Sequence, residues 1–343
     1  MNKITVIGGG AAGLMAAIAA AERGAQVSLI EPNERLGKKV NITGKGRCNV
    51  TNDTDLEGLM AHIPRNGRFL YSALSHFTSR DTMAFFEGCG VPLKVERGDR
   101  VFPVSDSAFD ITDALKRQVK TLGVRWLHDR AASVETADGR VMAVTGEKGT
   151  YPADAVIVAT GGMSYPGTGS TGDGYRIAAA LGHTIVEPRG SLVPLVSDDD
   201  CCRHMQGLSL KNVELTVYNG KNKPVFREFG EMLFTHFGVS GPLVLSASAH
   251  LRDWGKEQYR LSIDLKPALD QQKLEARILR DISESPNRDV EKLLSGLSDE
   301  DRDIILRYYW DDQCVDEIAE DYGVSSSSIY SRMSRARSRL KQV

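Results

Sequence analysis

The first 31 residues constrain this chain more than any other stretch. Ile4-Thr-Val-Ile7 is a short apolar run suited to a strand buried on both faces, and Gly8-Gly-Gly10-Ala-Ala-Gly13 follows directly. Leu14 to Arg23 then predicts a helix, Val27 to Ile30 a second strand, and Glu31 stands at its end. In such a unit each glycine has its own use. Gly8 permits the tight turn, Gly10 lets backbone N–H groups approach a pyrophosphate without a Cβ in the way, and Gly13 lets the helix pack closely on the strand. The helix N-terminus adds unpaired donors and the positive end of its dipole. Glu31 sits where a carboxylate can accept bonds from both hydroxyls of an adenosine ribose, and an acid there repels the 2′-phosphate of NADP.

With 343 residues the chain can bury two cores or more. A net charge of −2 implies no global attraction to nucleic acid or anionic lipid. No apolar run approaches the ~20 residues of a membrane span. The opening MNKITVIGG is already a strand, so no signal peptide is expected. Five scattered cysteines fit reduced thiols in a cytoplasm better than a disulfide framework.

Three parts follow from the patterning, at 1–186, 187–294 and 295–343. In the first, Gly123 to Leu127 predicts a strand, and Ala132 to Glu135 with Arg140 to Val144 predicts a hairpin turning at Asp138-Gly139. Ala155-Val-Ile-Val-Ala159 predicts another buried parallel strand, running into Thr160-Gly-Gly162. In the second part Leu208 to Tyr218 and Tyr259 to Leu265 alternate apolar and polar residues, as in an inserted antiparallel β domain, and Lys273 to Leu294 reads as helical. The third holds three short helices' worth of residues and no strand signal.

Several phrases, in order over about 1–294, resemble the bacterial BaiN-like, aminoacetone-oxidase-type NAD(P)/FAD-dependent flavoproteins. They include Gly37-Lys-Lys39-Val-Asn-Ile-Thr43-Gly44-Lys-Gly46-Arg47-Cys48-Asn49, Val101-Phe-Pro103, Thr160-Gly161-Gly-Met-Ser-Tyr165-Pro-Gly-Thr-Gly, and Gly230-Glu-Met-Leu-Phe-Thr-His236-Phe-Gly. The resemblance implies an α/β fold: a Rossmann-like FAD-binding domain with an inserted, incomplete antiparallel β domain. It also implies FAD as cofactor, with NAD(P)H as electron donor and a small organic substrate. The cofactor contacts it implies are Gly8, Gly10, Ala11, Ala12, Gly13 and Glu31 at the first turn, then Lys39, Thr43, Gly44, Gly46, Arg47, Cys48 and Asn49. Ala132 resembles the position whose backbone meets the adenine, and Ala159, Thr160 and Gly161 return the chain to the cofactor. On its own chemistry, Thr43 to Arg47 is a glycine-rich loop in which Arg47 can fork onto phosphate. Cys48 reads as a small packed residue. His236, between two phenylalanines, reads as a core histidine, with an acid/base role over the flavin as the alternative. Cys201-Cys202-Arg-His204 lacks the spacing and the fourth ligand of a metal site. No catalytic acid or base is assigned.

Leu297 to Trp310, Asp316 to Ser325 and Ile329 to Leu340 resemble region 4 of sigma-70-type factors, a helix-turn-helix. Ile318 and Ala319 pack its first helix, Gly323 permits the turn and Ser325 caps the second helix, where Ile329, Met333, Ala336 and Leu340 form one apolar stripe. Ser327, Ser328, Tyr330, Ser331, Arg332, Arg335 and Arg339 are then expected to face DNA. Residues 297–322 carry ten acids against Arg302 and Arg307, whereas 323–343 carry five basic residues and no acid. Promoter DNA or RNA polymerase is therefore the expected partner of 297–343.

Members of the flavoprotein family continue after the inserted domain with a Gly- and Asp-rich closing segment that covers the flavin ring. Nothing between Leu294 and Val343 resembles it. The sequence thus reads as a cytoplasmic FAD-dependent oxidoreductase, cut within its inserted domain and joined to a promoter-recognition module. Its alternative is a DNA-binding regulator with a flavin-derived sensor.

Overall fold

The computed structural model describes residues 2–251, 255–283, 294, 296–309 and 313–340. They fall into two compact units, Met1–Gly190 and Ser191–Val343.

The first unit is built on a four-stranded parallel sheet of β1 (Lys3–Ile7), β2 (Gln26–Ile30), β6 (Arg125–Leu127) and β10 (Ala155–Val158), in the order β10-β1-β2-β6. Val6 and Leu29 are fully buried, as a run apolar on both faces requires. Helix α1 (Ala11–Glu22) covers one face with Leu14, Ala17 and Ile18, which share a core with Ile111 and Leu115 of α5 (Ala108–Thr121). The strand at Ala155–Val158 is parallel to β1, as expected, but it is not buried. It lies at the sheet edge with its ends exposed and Val156 and Ile157 half-buried. Its apolar composition reports a buried neighbour, β1, and not burial of the strand itself.

Residues 53–122, which carry few sequence signals, supply the helices α2 (Leu56–Ala61), α3 (Gly67–His76) and α4 (Ser79–Gly88) besides α5. They also form most of a small antiparallel sheet of β3 (Thr51–Asn52), β5 (Arg100–Pro103) and β4 (Leu93–Glu96). The hairpin of β7 (Ala131–Ala137) and β8 (Arg140–Gly146), which β9 (Thr150–Pro152) extends by pairing with β8, turns at Asp138 and Gly139, with φ of +51° and +71°. Two positive φ values in a two-residue loop match the right-handed twist of the strands. Behind the hairpin, the buried Asp129 accepts bonds from the Tyr151 hydroxyl at 2.8 Å and the Arg130 amide at 2.7 Å. Burial alone would push this carboxyl up, but these bonds and the Lys148 amide hold it below the usual range.

The second unit opens with a five-stranded antiparallel sheet in the order β11-β14-β13-β12-β15. Its strands are β11 (Leu195–Val196), β12 (Ser209–Tyr218), β13 (Pro224–Thr235), β14 (Gly238–Ser240) and β15 (Arg260–Asp264). Val213, Leu215 and Val217 alternate inward from β12 onto Met232 and Phe234, and Leu243, Val244 and Ala247 of a helix at Pro242–His250 close this core. Of the helix expected at Lys273–Leu294, Gln271–Ser283 is helical, and residues 284–293 lie outside the described ones. A separate core joins the helices Asp299–Tyr309, Val315–Asp321 and Ser326–Leu340 through Ile304, Ile318, Ile329, Met333 and Ala336.

Candidate functional site

The chemistry of the first unit gathers around a cavity of about 610 Å³ where β1 gives way to α1. Gly8 takes φ +108°, and a Cβ there would come within 2.4 Å of the Ala159 carbonyl oxygen, so the turn packs against the end of β10. At Gly13 a Cβ would stand 1.8 Å from the Gly8 carbonyl oxygen, which makes this the helix–strand contact glycine and not a lining residue. A Cβ on Gly10 would meet nothing within 4 Å. Gly10, Ala11 and Ala12 line the cavity, and the first-turn amides of α1 have no acceptor within the helix.

Glu31 is buried at the far side of the same turn. Its Oε2 accepts the Gly9 amide at 2.6 Å, while Oε1 accepts the Asn33 amide at 2.9 Å and the Asn33 side-chain amide at 2.6 Å. A carboxylate offers about four lone-pair sites. Oε1 therefore already carries two of these bonds and Oε2 one. Gly9 and Asn33 are the residues that sequence reasoning missed here. A Cβ on Gly9 would press on Glu31 Cγ at 2.9 Å, and Asn33 also reaches the Thr168 carbonyl oxygen at 3.3 Å.

Lys39, Thr43, Cys48 and Asn49 line the cavity, as do Ala159, Thr160 and Gly161. The Lys39 ammonium bonds Ser170 Oγ at 2.6 Å and the Ser164 carbonyl oxygen at 2.8 Å, tying the loop after β10 to the floor. Ser170 carries no sequence signal. Cys48 is buried with φ +61°, and burial pushes its thiol up against a smaller opposing effect of Thr43.

Gly44, Gly46, Arg47 and Ala132 do not line the cavity. Arg47 was expected to fork onto phosphate. Instead its guanidinium bonds Glu96 at 3.0 and 3.2 Å and Asp106 at 3.3 Å, and it stacks 4.1 Å from the centre of the Phe102 ring. Glu96 at the end of β4 and Asp106 after β5 hold this cation. The carbonyl oxygen of the exposed Ala132 accepts from Arg176 at 3.4 Å. His236, in the second unit, is exposed in the turn between β13 and β14 against Phe237, and is not a core residue. Cys201 is exposed, Cys202 is buried, and a hydrogen bond with Asp199 pushes the Cys201 thiol up to about 11.

In the terminal helices Gly323 has φ +63° and the Ser328 amide bonds Ser325 Oγ at 3.3 Å, the turn and cap expected of the sequence. Ser327, Ser328, Tyr330, Ser331 and Arg335 are exposed on the last helix. Arg332 departs from the expectation. It is only partly exposed and pairs with Glu300 and, at 3.3 Å, with Asp301 of the first of these helices. An acid-rich neighbour thus holds an arginine expected to face DNA. The side chains of Arg339 and Leu340 lie outside the described ones.

Comparison with known proteins agrees with both halves of this picture. The model of the HI0933-like protein Rossmann domain matches residues 2–248, and that of sigma-70 region 4 matches residues 287–340. The chain is 31% identical over 304 residues to a 3-dehydro-bile acid delta(4,6)-reductase of Clostridium scindens, covering 87% of this chain and 72% of the reductase. It is 34% identical over 269 residues to a ribosomal RNA dihydrouridine synthase of Haemophilus influenzae, covering 76% of this chain and 64% of that protein. A synthase of the same description from Escherichia coli is 32% identical over 292 residues, covering 84% and 69%. On these matches the chain belongs to the HI0933-like Rossmann family of FAD oxidoreductases, and a sigma-70 region 4 domain follows.

Proposed function

We propose that the cavity beside Gly10 and Glu31 binds FAD and that the protein passes hydride from a reduced nicotinamide to an unsaturated organic substrate. The observation that carries this reading is the free space at Gly10 in a cavity that the clamped carboxylate of Glu31 also lines, as in a fold that receives a dinucleotide at a helix N-terminus. Bound FAD supplies the redox chemistry, and the chain supplies binding, orientation and electrostatics. The amides of the N-cap Gly10 and of Ala11 and Ala12 in the first turn would take the pyrophosphate, and Oε2 of Glu31 a ribose hydroxyl. Asn33 holds Glu31 in place, and Lys39 and Ser170 fix the loop that closes this end. The relatives' names, a delta(4,6)-reductase and a dihydrouridine synthase, both describe adding hydrogen to an unsaturated compound, which supports the substrate class.

The test is the FAD-to-protein ratio after purification without added flavin, read beside steady-state NADH oxidation. Gly10→Val places a branched side chain in the free space and Glu31→Ala removes the acceptor, and each is expected to lower the ratio by more than half. An unchanged ratio in both variants would falsify the site.

The exposed row of Tyr330, Ser331 and Arg335 after a Gly323 turn favours a second role, duplex DNA binding by residues 295–343 as a domain distinct from 187–294. Arg335→Ala is expected to weaken binding on every sequence in a gel-shift titration. No shift of any duplex at low salt would remove this role.

A further inference from the structure

The last of the terminal helices, Ser326–Leu340, carries an arginine that the DNA reading does not use. At 100° per residue its buried residues Ile329, Met333 and Ala336 form one stripe. Arg332 stands roughly 65° from the middle of that stripe, whereas Ser331 and Arg335 stand roughly 165° and 130° from it. Ser331 and Arg335 are exposed on the outward face, and Arg332 lies on the flank. There the first terminal helix, Asp299–Tyr309, meets it. The Arg332 side chain is 26% exposed, and its guanidinium pairs with Glu300 and, at 3.3 Å, with Asp301, whose side chain is 16% exposed.

The same first helix also grips the second, Val315–Asp321. Arg307 pairs with Asp321, and the hydroxyl of Tyr322 donates to Asp303 at 2.6 Å. Asp316 of the second helix accepts the Ser326 hydroxyl at 2.6 Å, where the last helix begins. Polar ties thus link the three helices pairwise, and Arg332 carries the tie between the first and the last. Isolated exposed ion pairs fix little, but two carboxylates on one partly buried guanidinium define a geometry.

We propose that Arg332 is a positioning residue. Pinned by Glu300 and Asp301, it sets the angle at which the last helix presents Tyr330, Ser331 and Arg335 to a duplex, and it makes no phosphate or base contact itself. Its effect on DNA rests on the DNA-binding reading, whereas the pin does not. The acids of the first helix then have a use that their charge conceals. As charges near a polyanion they repel it, yet Glu300 and Asp301 help binding by holding the helix that reads it. Repulsion and pinning therefore predict opposite signs for their removal.

The test uses the full chain and a labelled duplex of mixed sequence, with affinity read by fluorescence anisotropy over a salt series. Glu300→Gln combined with Asp301→Asn removes two negative charges and is expected to weaken binding at least threefold. Arg332→Ala is expected to do the same with the salt slope unchanged, whereas Arg335→Ala lowers the slope by about 0.9, the loss of one phosphate contact. Charge reversal isolates the pin. In an Asp301→Asn background Arg332→Glu and Glu300→Arg are each expected to weaken binding, the first at least tenfold. Together they should restore it to within threefold, a rescue closed to an arginine that touches DNA. Helix content at 222 nm should stay at the wild-type value in every variant. Tighter binding by the Glu300→Gln, Asp301→Asn protein, a slope lowered by about 0.9 in Arg332→Ala, or no rescue by the reversed pair would overturn the proposal. If none of these proteins binds a duplex, the DNA reading fails, and amide exchange of residues 329–336 across the charge-reversal series decides the pin. Fast exchange in Arg332→Glu alone that slows again in the reversed pair upholds it, and equal exchange throughout overturns it.

Discussion

Gly13→Ala is the substitution whose cost follows most directly from the geometry. The added methyl would stand 1.8 Å from the Gly8 carbonyl oxygen, whereas real Cβ contacts stay beyond 3.0 Å. Gly8 cannot yield, because its φ of +108° and its bond to the Ile30 carbonyl oxygen at 2.8 Å fix the turn. Helix α1 must therefore lift, drawing Leu14, Ala17 and Ile18 away from the sheet. Overpacking of this kind costs about 1–3 kcal/mol, and partial exposure of the three side chains adds to it. Replacing a helical glycine by alanine returns about 1 kcal/mol. The steric effect wins, leaving a net loss of ~2 kcal/mol or more, which lowers the melting temperature of a unit this size by roughly 4–8 °C. Gly10→Ala is the control. Its methyl enters free space, and the poorer N-cap costs below about 1 kcal/mol. Scanning calorimetry on flavin-free protein separates the two without ligand-linked stabilisation. Equal melting temperatures for Gly13→Ala and Gly10→Ala would refute the close helix–strand contact.

Arg47→Ala should leave the FAD-to-protein ratio at the wild-type value, because the guanidinium is held by Glu96 and Asp106; a clear loss of flavin would restore the phosphate fork. Asp129 is held below its ordinary range, so its contribution to stability is present above the unfolded carboxylate pKa and fades as pH falls through the folded one. Asp129→Asn should therefore narrow the stability difference between pH 6 and about pH 3, read by urea unfolding. Tyr322 is pushed up to about 12 by burial and by its bond to Asp303, so its neutral form stabilises the terminal helices below about pH 10, and that contribution is lost as pH rises through about 12. Circular dichroism at 222 nm should show an alkaline loss of helix that Tyr322→Phe removes.

The first turn was legible in the sequence because its constraints are local. Gly13 and Glu31 each answer to a contact within the β1–α1–β2 unit, the Gly8 carbonyl oxygen and the Gly9 amide, and local chemistry has a fixed spacing. Likewise the Gly323 turn, the Ser325 cap and the stripe of Ile329, Met333 and Ala336 follow from helical period alone. Burial of a strand is not local. The run Ala155–Val158 reads the same in a sheet centre and at its edge, and only the strand order places it at the edge. Where a charged side chain points is decided by competition among groups far apart in sequence. Arg47 is taken by Glu96 and Asp106, and Arg332 by Glu300 and Asp301. Long flexible cations go to the nearest carboxylates that tertiary packing brings within reach, and no spacing rule along the chain encodes that choice. Asn33 and Ser170 belong to the same class: their amide and hydroxyl acquire a role only when folding sets them against Glu31 and Lys39.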